Sequence, residues 1–330
     1  MLTLAFETSC DETAVAVVSW SGLDKQSLGF ANRFVADAPR NDVVVLSNVV
    51  ASQIDIHQRF GGVVPEVASR NHLLAIESVT EEALRRAGVS LGEITQVAAT
   101  THPGLPGAVM VGRVFAESVA TALGLPFREV NHVVGHIASC VLTNPQLRPP
   151  FMALVVSGGH TALYKVQSFK SIKLVATTTD DACGEAFDKV AKVLGLSYPG
   201  GPQIAKLAAE FKGESDLVFM PSKNYKKDSN FSYSGLKTAV LNYVNKRKQK
   251  GEELNLPEIC FAFQREAIGQ LVSKIPKTNL PLAISGGVAA NEYLRQQFPD
   301  AVFPDVSLCG DNAAMVGAAA ILFDKNLVID

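Results

Sequence analysis

Cysteine is scarce and scattered: five residues, at 10, 140, 183, 260 and 309, in a chain of 330. The count is odd and no C-x-x-C spacing occurs. That excludes a disulfide scaffold and a zinc ribbon, and points to reduced thiols in a cytosolic protein. An excess of positive charge is also missing. The formal net charge is −2, so the chain as a whole is not a polybasic nucleic-acid binder, and any such contact has to come from a local patch. The first 18 residues contain no Lys or Arg and carry three acids, which does not read as a signal or transit peptide. Apolar runs such as "MVGAAAILF" (315–323) fall far short of the roughly 18–20 residues of a membrane span. Together these absences lead us to expect a soluble cytoplasmic protein with no membrane partner.

What is present is a hydrophobic content of 47%, enough for a sizeable core and for two lobes. Turns punctuated by Gly, Ser and Thr fall into two pairs. "LTLAFETSCDETAVAVVS" (2–19) predicts a β-hairpin around a small polar turn, and "VAATTHPGLPGAVMVGRVFAESVATAL" (97–123) a strand, a Gly/Pro turn and an amphipathic helix. "FMALVVSGGHTALYKVQS" (151–168) and "LPLAISGGVAANEYLRQQF" (280–298) repeat that order. Two halves on one plan suggest an internal duplication, with a ligand cleft between similar lobes. Helices are expected in 72–88, in 184–211 with a break at "YPGG", and in 310–325. The most loop-like region is 212–235.

Several motifs bear on chemistry. "ETSCDET" (7–13), "SGGHT" (157–161) and "SGGVAAN" (285–291) place hydroxyls and backbone N–H groups where phosphate oxygens can be met. Each alone is ordinary turn punctuation; three in a duplicated frame favour a nucleotide cleft. No G-x-x-x-x-G-K-[ST] is present, and "GLPGAVMVG" (104–112) lacks the G-x-G-x-x-G spacing. His132 and His136 in "NHVVGH" stand four apart, on one face of a helix. The spacing is that of H-E-x-x-H, yet Val133 occupies the Glu position, so the general base of a zinc protease is missing. Asp311 in "CGDNAAM" is the best third ligand, unless it is only an N-cap. His57, His72, His102 and His160 read as satisfied singletons. Asp188 fits either a sugar hydroxyl or a salt bridge around Lys189, and Asp11 and Glu12 either catalysis or turn formation. The stretch 223–250 holds eight Lys or Arg, one Asp, and interleaved Tyr and Phe. It is the one place resembling a nucleic-acid footprint, with a solvated basic face as the plain alternative.

Taken together, "ETSCDETAVAV", "FGGVVPEVASRNH", "PGLPGAVMVG", "NHVVGHIAS", "VVSGGHTALYKV", "DDACGEAFDKVAKVLGLSYPGGP", "NFSYSGLKT", "FQREAI", "SGGVAANEYLR" and "DNAAMVG" resemble the tRNA N6-adenosine threonylcarbamoyltransferases, and most closely their bacterial TsaD type. The resemblance runs from about residue 2 to about residue 320, and "FGGVVPEVASR" and "GEAFDKVAKVLGL…YPGGP" are its most specific parts. It implies an α/β ASKHA fold (the actin and hexokinase architecture), duplicated into two lobes around a nucleotide cleft. Lobe I would span 1–130, completed by a helix in 311–330, and lobe II 131–310. It further implies an acyltransferase that moves a threonylcarbamoyl group from threonylcarbamoyl-AMP to N6 of adenosine 37 in tRNAs reading ANN codons, with release of AMP.

By carry-over, His132, His136 and Asp311 would ligate one divalent metal, iron before zinc. Val155, Val156, Ser157, Gly158 and Gly159 would bind the phosphate and acyl part, and Asp188, Gly201 and Asn291 the nucleoside. Asp11 and Glu12 would lie near the transfer site. The implied partners are tRNA, a shorter ASKHA paralogue (TsaB type) and a small P-loop ATPase (TsaE type). The chain departs from the family pattern at Gly310 (usually Thr), His102 (usually Gly) and Ala205 (often Asp), and the stretch between Asn291 and Asp311 is short. Competing readings are a small-molecule O-carbamoyltransferase of the same fold, a metalloendopeptidase, which the missing Glu argues against, and a non-catalytic partner, which the intact His132, His136, Asp188 and Asp311 argue against.

Overall fold

A computed structural model of the chain describes residues 1–20, 43–219 and 229–330. In the first half, the strands are β1 (Leu2–Glu7), β2 (Glu12–Trp20), β3 (Val43–Ser52), β4 (Gln96–His102) and β5 (Phe127–Asn131). Between and after them come the helices α1 (Ile54–Gln58), α2 (Pro65–Ala87), α3 (Pro106–Leu123) and α4 (His132–Thr143). The second half holds β6 (Phe151–Val156), β7 (Thr161–Ser168), β8 (Ser171–Thr177), β9 (Leu282–Ser285) and β10 (Val328–Ile329). Its helices are α5 (Cys183–Leu194), α6 (Gly200–Glu210), α7 (Ser234–Gln249), α8 (Leu256–Lys274), α9 (Glu292–Gln297) and α10 (Ala313–Leu322).

The strand orders repeat the sequence plan. One sheet runs β3-β2-β1-β4-β5 and the other β10-β8-β7-β6-β9. In each, the opening strand pairs antiparallel with the next, which pairs antiparallel with the third, and pairs parallel with the fourth. Where the first sheet adds β5 in parallel, the second has a single parallel bridge, Ala283 to Val302. The segment between Asn291 and Asp311 thus contributes one bridge where the first sheet has β5. The C-terminal β10 pairs with β8, on the second sheet.

Side-chain size along the strands explains the layering. On β1 and β2, Leu4, Phe6, Val15 and Val17 pack outward with α2 and α3. Their alternating neighbours Ala5, Ala14, Ala16 and Val18 face α4 and α10. On β6, Met152, Leu154 and Val156 join the core with α5 to α8, while Ala153 and Val155 face the central helices. Period-2 alternation thus assigns each strand residue to one of two cores. Small residues on the inner faces let α4 and α10 lie between the sheets. At Gly317 a Cβ would stand 2.5 Å from a Val18 methyl, so α10 meets β2 at a distance only glycine permits. The expected hairpins, the strand-turn-helix units and the break at "YPGG" are all present. Residues 220–228 of the expected loop lie outside the described residues. No helix among those described is long and apolar enough to cross a membrane.

Candidate functional site

Strand β5 runs directly into α4, and the junction presents the histidine pair. Asn131 caps the helix, its Oδ1 accepting from the Val133 and Val134 N–H groups at 2.8 and 3.3 Å. His132 is then the first helical residue and His136 lies one turn on, both buried. Asp311 arrives from the loop before α10. Asn312 caps that helix, accepting from the Met315 N–H at 3.0 Å, so the capping role is filled and Asp311 is left for the histidines. Its Oδ1 lies 3.2 Å from His136 Nε2 and 3.6 Å from His132 Nε2. One donor atom from each of the three residues falls within 4.8 Å of the others.

A second set of groups fixes this cluster from behind. Glu7, at the end of β1, lies fully buried with Oε2 3.2 Å from His132 Nδ1. It accepts from the Ser9 N–H and the Thr100 hydroxyl, each at 2.5 Å. Ser9 Oγ also stands 3.1 Å from His132 Nδ1. A carboxylate behind a ligating imidazole sets its tautomer and raises its basicity. Burial by itself would lower the His132 imidazolium, but Asp311 and Glu7 outweigh it and lift it to about 9. Burial likewise opposes ionisation of Asp311, and His132 and His136 overcome it, holding the carboxyl well below its ordinary value. Two buried carboxylates against neutral imidazoles leave a deficit of positive charge. Either a proton on His132 or a cation between the three donors supplies it. His136 Nδ1 is buried and has no hydrogen-bond partner among the described residues. Donor set, convergence and local charge all fit a divalent ion.

His160, read from sequence as an isolated residue, belongs to this neighbourhood. Its ring centroid lies 5.8 Å from that of His132. Burial, together with charge on His132 and His136, pushes it down to about 4. Only the placement of the β6–β7 turn beside the start of α4 brings it there, so no local spacing signalled it. His72 is satisfied as expected, buried and held by Thr13, Gln53 and the Cys10 carbonyl; His57 is only half so, its Nδ1 accepting from the Val64 N–H while its buried Nε2 has no hydrogen-bond partner among the described residues.

Asp11 and Glu12 occupy the β1–β2 turn. Asp11 Oδ2 accepts a hydrogen bond from the Tyr198 hydroxyl at 3.2 Å. Burial, then Asp11 and Asp311, push the Glu12 carboxyl well above its ordinary value. The equivalent β6–β7 turn carries Ser157, Gly158 and Gly159. Both glycines are exposed, and a Cβ on either would meet open space. The N-terminus of α5 lies against this turn, its Gly184 N–H donating to the Ser157 carbonyl at 3.1 Å. Val155 and Val156 are completely buried, their side chains in the two cores, so only their backbone can meet a ligand.

Asp188 does not pair with Lys189, which bridges Asp181 and Glu185 instead. Its Oδ1 accepts from the Gly200 N–H at 2.7 Å, at the start of α6 where Gly201 also sits. Burial raises its pKa, opposed by the Gly200 and Gly201 N–H groups. Asn291 caps α9 with Oδ1 and donates from Nδ2 to Gln264 at 2.8 Å. At Gly286 the chain has φ +93°, and a Cβ would fall 2.3 Å from the Val156 carbonyl, so the loop before Asn291 presses on the end of β6. Of the basic stretch, 223–228 lies outside the described residues. Phe231 and Tyr233 are buried in the core, which removes them as bases' stacking partners, while Lys246, Lys248 and Lys250 of α7 and its end are exposed.

A family model described as tRNA N6-adenosine threonylcarbamoyltransferase (TsaD) matches residues 44–318. Proteins of that name from Clostridium perfringens and Clostridium novyi are each 45% identical over 96% of this chain and 91% of theirs. One from Clostridium botulinum is 43% identical over the same shares. Among solved structures, component A of the (R)-2-hydroxyglutaryl-CoA dehydratase of Acidaminococcus fermentans aligns with a TM-score of 0.54 at 12% identity, covering 97% of this chain and 96% of that one. T. kodakarensis HypF aligns at 0.55 and 13% identity, over 97% of this chain and 47% of that one. Likeness at that identity establishes the fold alone: a two-lobe α/β fold of the ASKHA type.

Proposed function

The chain belongs to the tRNA N6-adenosine threonylcarbamoyltransferase (TsaD) family, and from that premise we propose how its cleft carries out the transfer. As an acyltransferase it forms N6-threonylcarbamoyladenosine in tRNA. The donor in our reading is threonylcarbamoyl-AMP and the acceptor is N6 of adenosine 37 in tRNAs that read ANN codons. The new bond joins N6 to the carbamoyl carbon. The bond from that carbon to the phosphate oxygen breaks, and AMP leaves with the electron pair.

The observation that carries the reading is the convergence of His132, His136 and Asp311 within 4.8 Å, with Glu7 behind His132. These three would hold one divalent ion, iron before zinc. Bound there, the ion supplies Lewis acidity toward the donor's phosphate and carbamoyl oxygens. The Ser157–Gly159 turn, through the exposed Gly158 and Gly159 backbone, would offer N–H groups to the same phosphate, with the Val155 and Val156 backbone leading into it. Asp188, Gly201 and Asn291 would face the nucleoside. Asp188 reaches it while holding the Gly200 N–H, and Asn291 gives up its bond to Gln264 or shares it. N6 of adenosine is a poor nucleophile, so orientation and charge placement supply much of the rate. A proton must leave N6 as the bond forms. Asp11, buried in the β1–β2 turn with its Oδ2 held by the Tyr198 hydroxyl, is the acceptor in our reading.

The exposed lysines of α7, with the rest of 223–250, are where we place tRNA contact. Exposed apolar side chains on α2 (Leu73, Leu74) and α3 (Met110, Val114) support docking of a shorter ASKHA paralogue of the TsaB type, and a small P-loop ATPase of the TsaE type would complete the bacterial set. Lobe I is taken as 1–130 with 311–330 and lobe II as 131–310; the packing of α10 on β1, β2 and β3 supports this, while the pairing of β10 with β8 returns the last residues to the second sheet.

The test is nucleoside mass spectrometry. Unmodified ANN-decoding tRNA is incubated with threonylcarbamoyl-AMP, the two partner proteins and either the wild type or Asp311→Ala. Modified adenosine with the wild type only is the expected result. Product from both would sink the metal site. Product from neither, with partners proven on another family member, would favour the small-molecule O-carbamoyltransferase reading.

A further inference from the structure

Tyr198 entered the sequence argument only as part of the "YPGG" break. In the folded chain it is a residue of lobe II whose side chain meets the β1–β2 turn of lobe I. Its hydroxyl donates to Asp11 Oδ2 at 3.2 Å. Both ends of this bond are held by backbone. The Tyr198 turn leads into Gly200, whose N–H is fixed by Asp188 at 2.7 Å. Gly200 presses so closely on α5 that a Cβ would lie 2.5 Å from that of Ala191. On the other side, the Asp11 carbonyl accepts from the Gln53 N–H at 3.0 Å. A second approach between the lobes arises from the same helix: a Cβ on Gly61 would stand 3.6 Å from the Lys192 ammonium. The α5–α6 unit therefore carries both contacts.

We propose that Tyr198 is a positioning residue for the transfer: its O–H, delivered from lobe II, fixes the direction of the Asp11 carboxylate, and does so only when the lobes stand at this separation. The inference rests on the reading of Asp11 as proton acceptor. The choice of a phenol follows from that role. A Lys or Arg would orient the carboxylate equally well but would cancel its charge and weaken it as a base. A neutral donor orients it and leaves the charge available. Burial, followed by Asp11 and Asp188, pushes the phenol well above its ordinary pKa, so it stays a donor.

The experiment compares Tyr198→Phe, Asp11→Asn and the double variant in the full transfer assay, with partners, tRNA and threonylcarbamoyl-AMP. Tyr198→Phe keeps the ring and removes one hydroxyl. We expect kcat to fall roughly tenfold, with KM for tRNA and for the donor within about twofold of wild type. The double variant should match Asp11→Asn alone, because the phenol acts only through that carboxylate. A wild-type kcat for Tyr198→Phe beside an inactive Asp11→Asn would overturn the positioning role and leave Asp11 as the base. Additive losses in the double variant would also overturn it. A wild-type rate for Asp11→Asn would sink the reading of Asp11, and the inference with it.

Discussion

The β1–β2 turn and the β6–β7 turn hold the same place in two copies of one plan, yet they are chemical opposites. The first carries Glu7, Asp11 and Glu12, partly or wholly buried. The second carries Ser157, Gly158 and Gly159, with no charge and two side chains of minimal size. Strand order and pairing are shared; the polar groups are not. One frame thus carries an acidic turn in its first half and an uncharged turn of small residues in its second. In the function we propose, the uncharged turn would serve the phosphate-bearing donor and the acidic turn the acceptor that loses a proton. The acids of lobe II serve differently: Asp180 and Asp181 bind hydroxyls, N–H groups and lysines of neighbouring segments.

Removing the charge that links the acidic turn to the histidines should have the largest effect. Asp311→Ala deletes one of the three proposed ligands, and we expect bound metal to fall below stoichiometric and transfer to drop by at least roughly a hundredfold, beyond the range for outer groups. Glu7→Gln leaves all three ligands and changes only the group behind His132. Metal affinity, measured by chelator competition, should weaken about 10- to 100-fold. Unchanged affinity would mean that Glu7 merely fills its pocket.

The second turn can be given the character of the first. A Cβ on Gly159 meets nothing within 4 Å, so Gly159→Asp adds a charge without a clash. The melting temperature should stay within about a degree, since exposed changes of this kind are usually worth no more than about 0.5 kcal/mol. KM for the donor nucleotide should rise roughly tenfold, one unfavourable interaction with phosphate. An unaltered KM would remove this turn from the phosphate site.

Legibility in the sequence followed the range of the interaction. Hairpins and helix starts rest on neighbours within a few residues, and "ETSCDET", "SGGHT" and "NHVVGH" announced them. The histidine pair was legible because its spacing is one helical turn. Asp311 remained open between cap and ligand until Asn312 proved to be the cap. His160 and Tyr198 escaped because their partners are distant in the sequence, 28 and 187 positions away (160 − 132, and 198 − 11). The basic stretch misled in its aromatic half: Phe231 and Tyr233 alternate with polar residues like a binding surface, yet they are buried core. Burial of a short aromatic segment is decided by α7 and α8 folding over it, which local pattern does not reveal.

The smallest effect is expected where an acid of lobe II does structural work. Asp180 accepts from the Tyr233 and Ser234 N–H groups and from the Ser232 and Ser234 hydroxyls, at 2.6 to 3.2 Å. It thus caps α7 from a distant loop, since Tyr233 at the N-cap position offers no side-chain bond. Burial would raise its pKa, but these four donors prevail and lower it. The folded value lies below the unfolded one, so the stabilisation is full above the unfolded carboxylate pKa and is lost as pH falls through the folded one. Asp180→Ala should cost about 1 kcal/mol at neutral pH, the usual worth of a cap. In urea melts the gap between variant and wild type should close as the solution is acidified through that range. A gap that persists in acid would mean that the hydroxyls and N–H groups find Asp180 equally good when protonated. The contrast between an acidic turn tuned for chemistry and acids tuned for capping would then rest on lobe I alone.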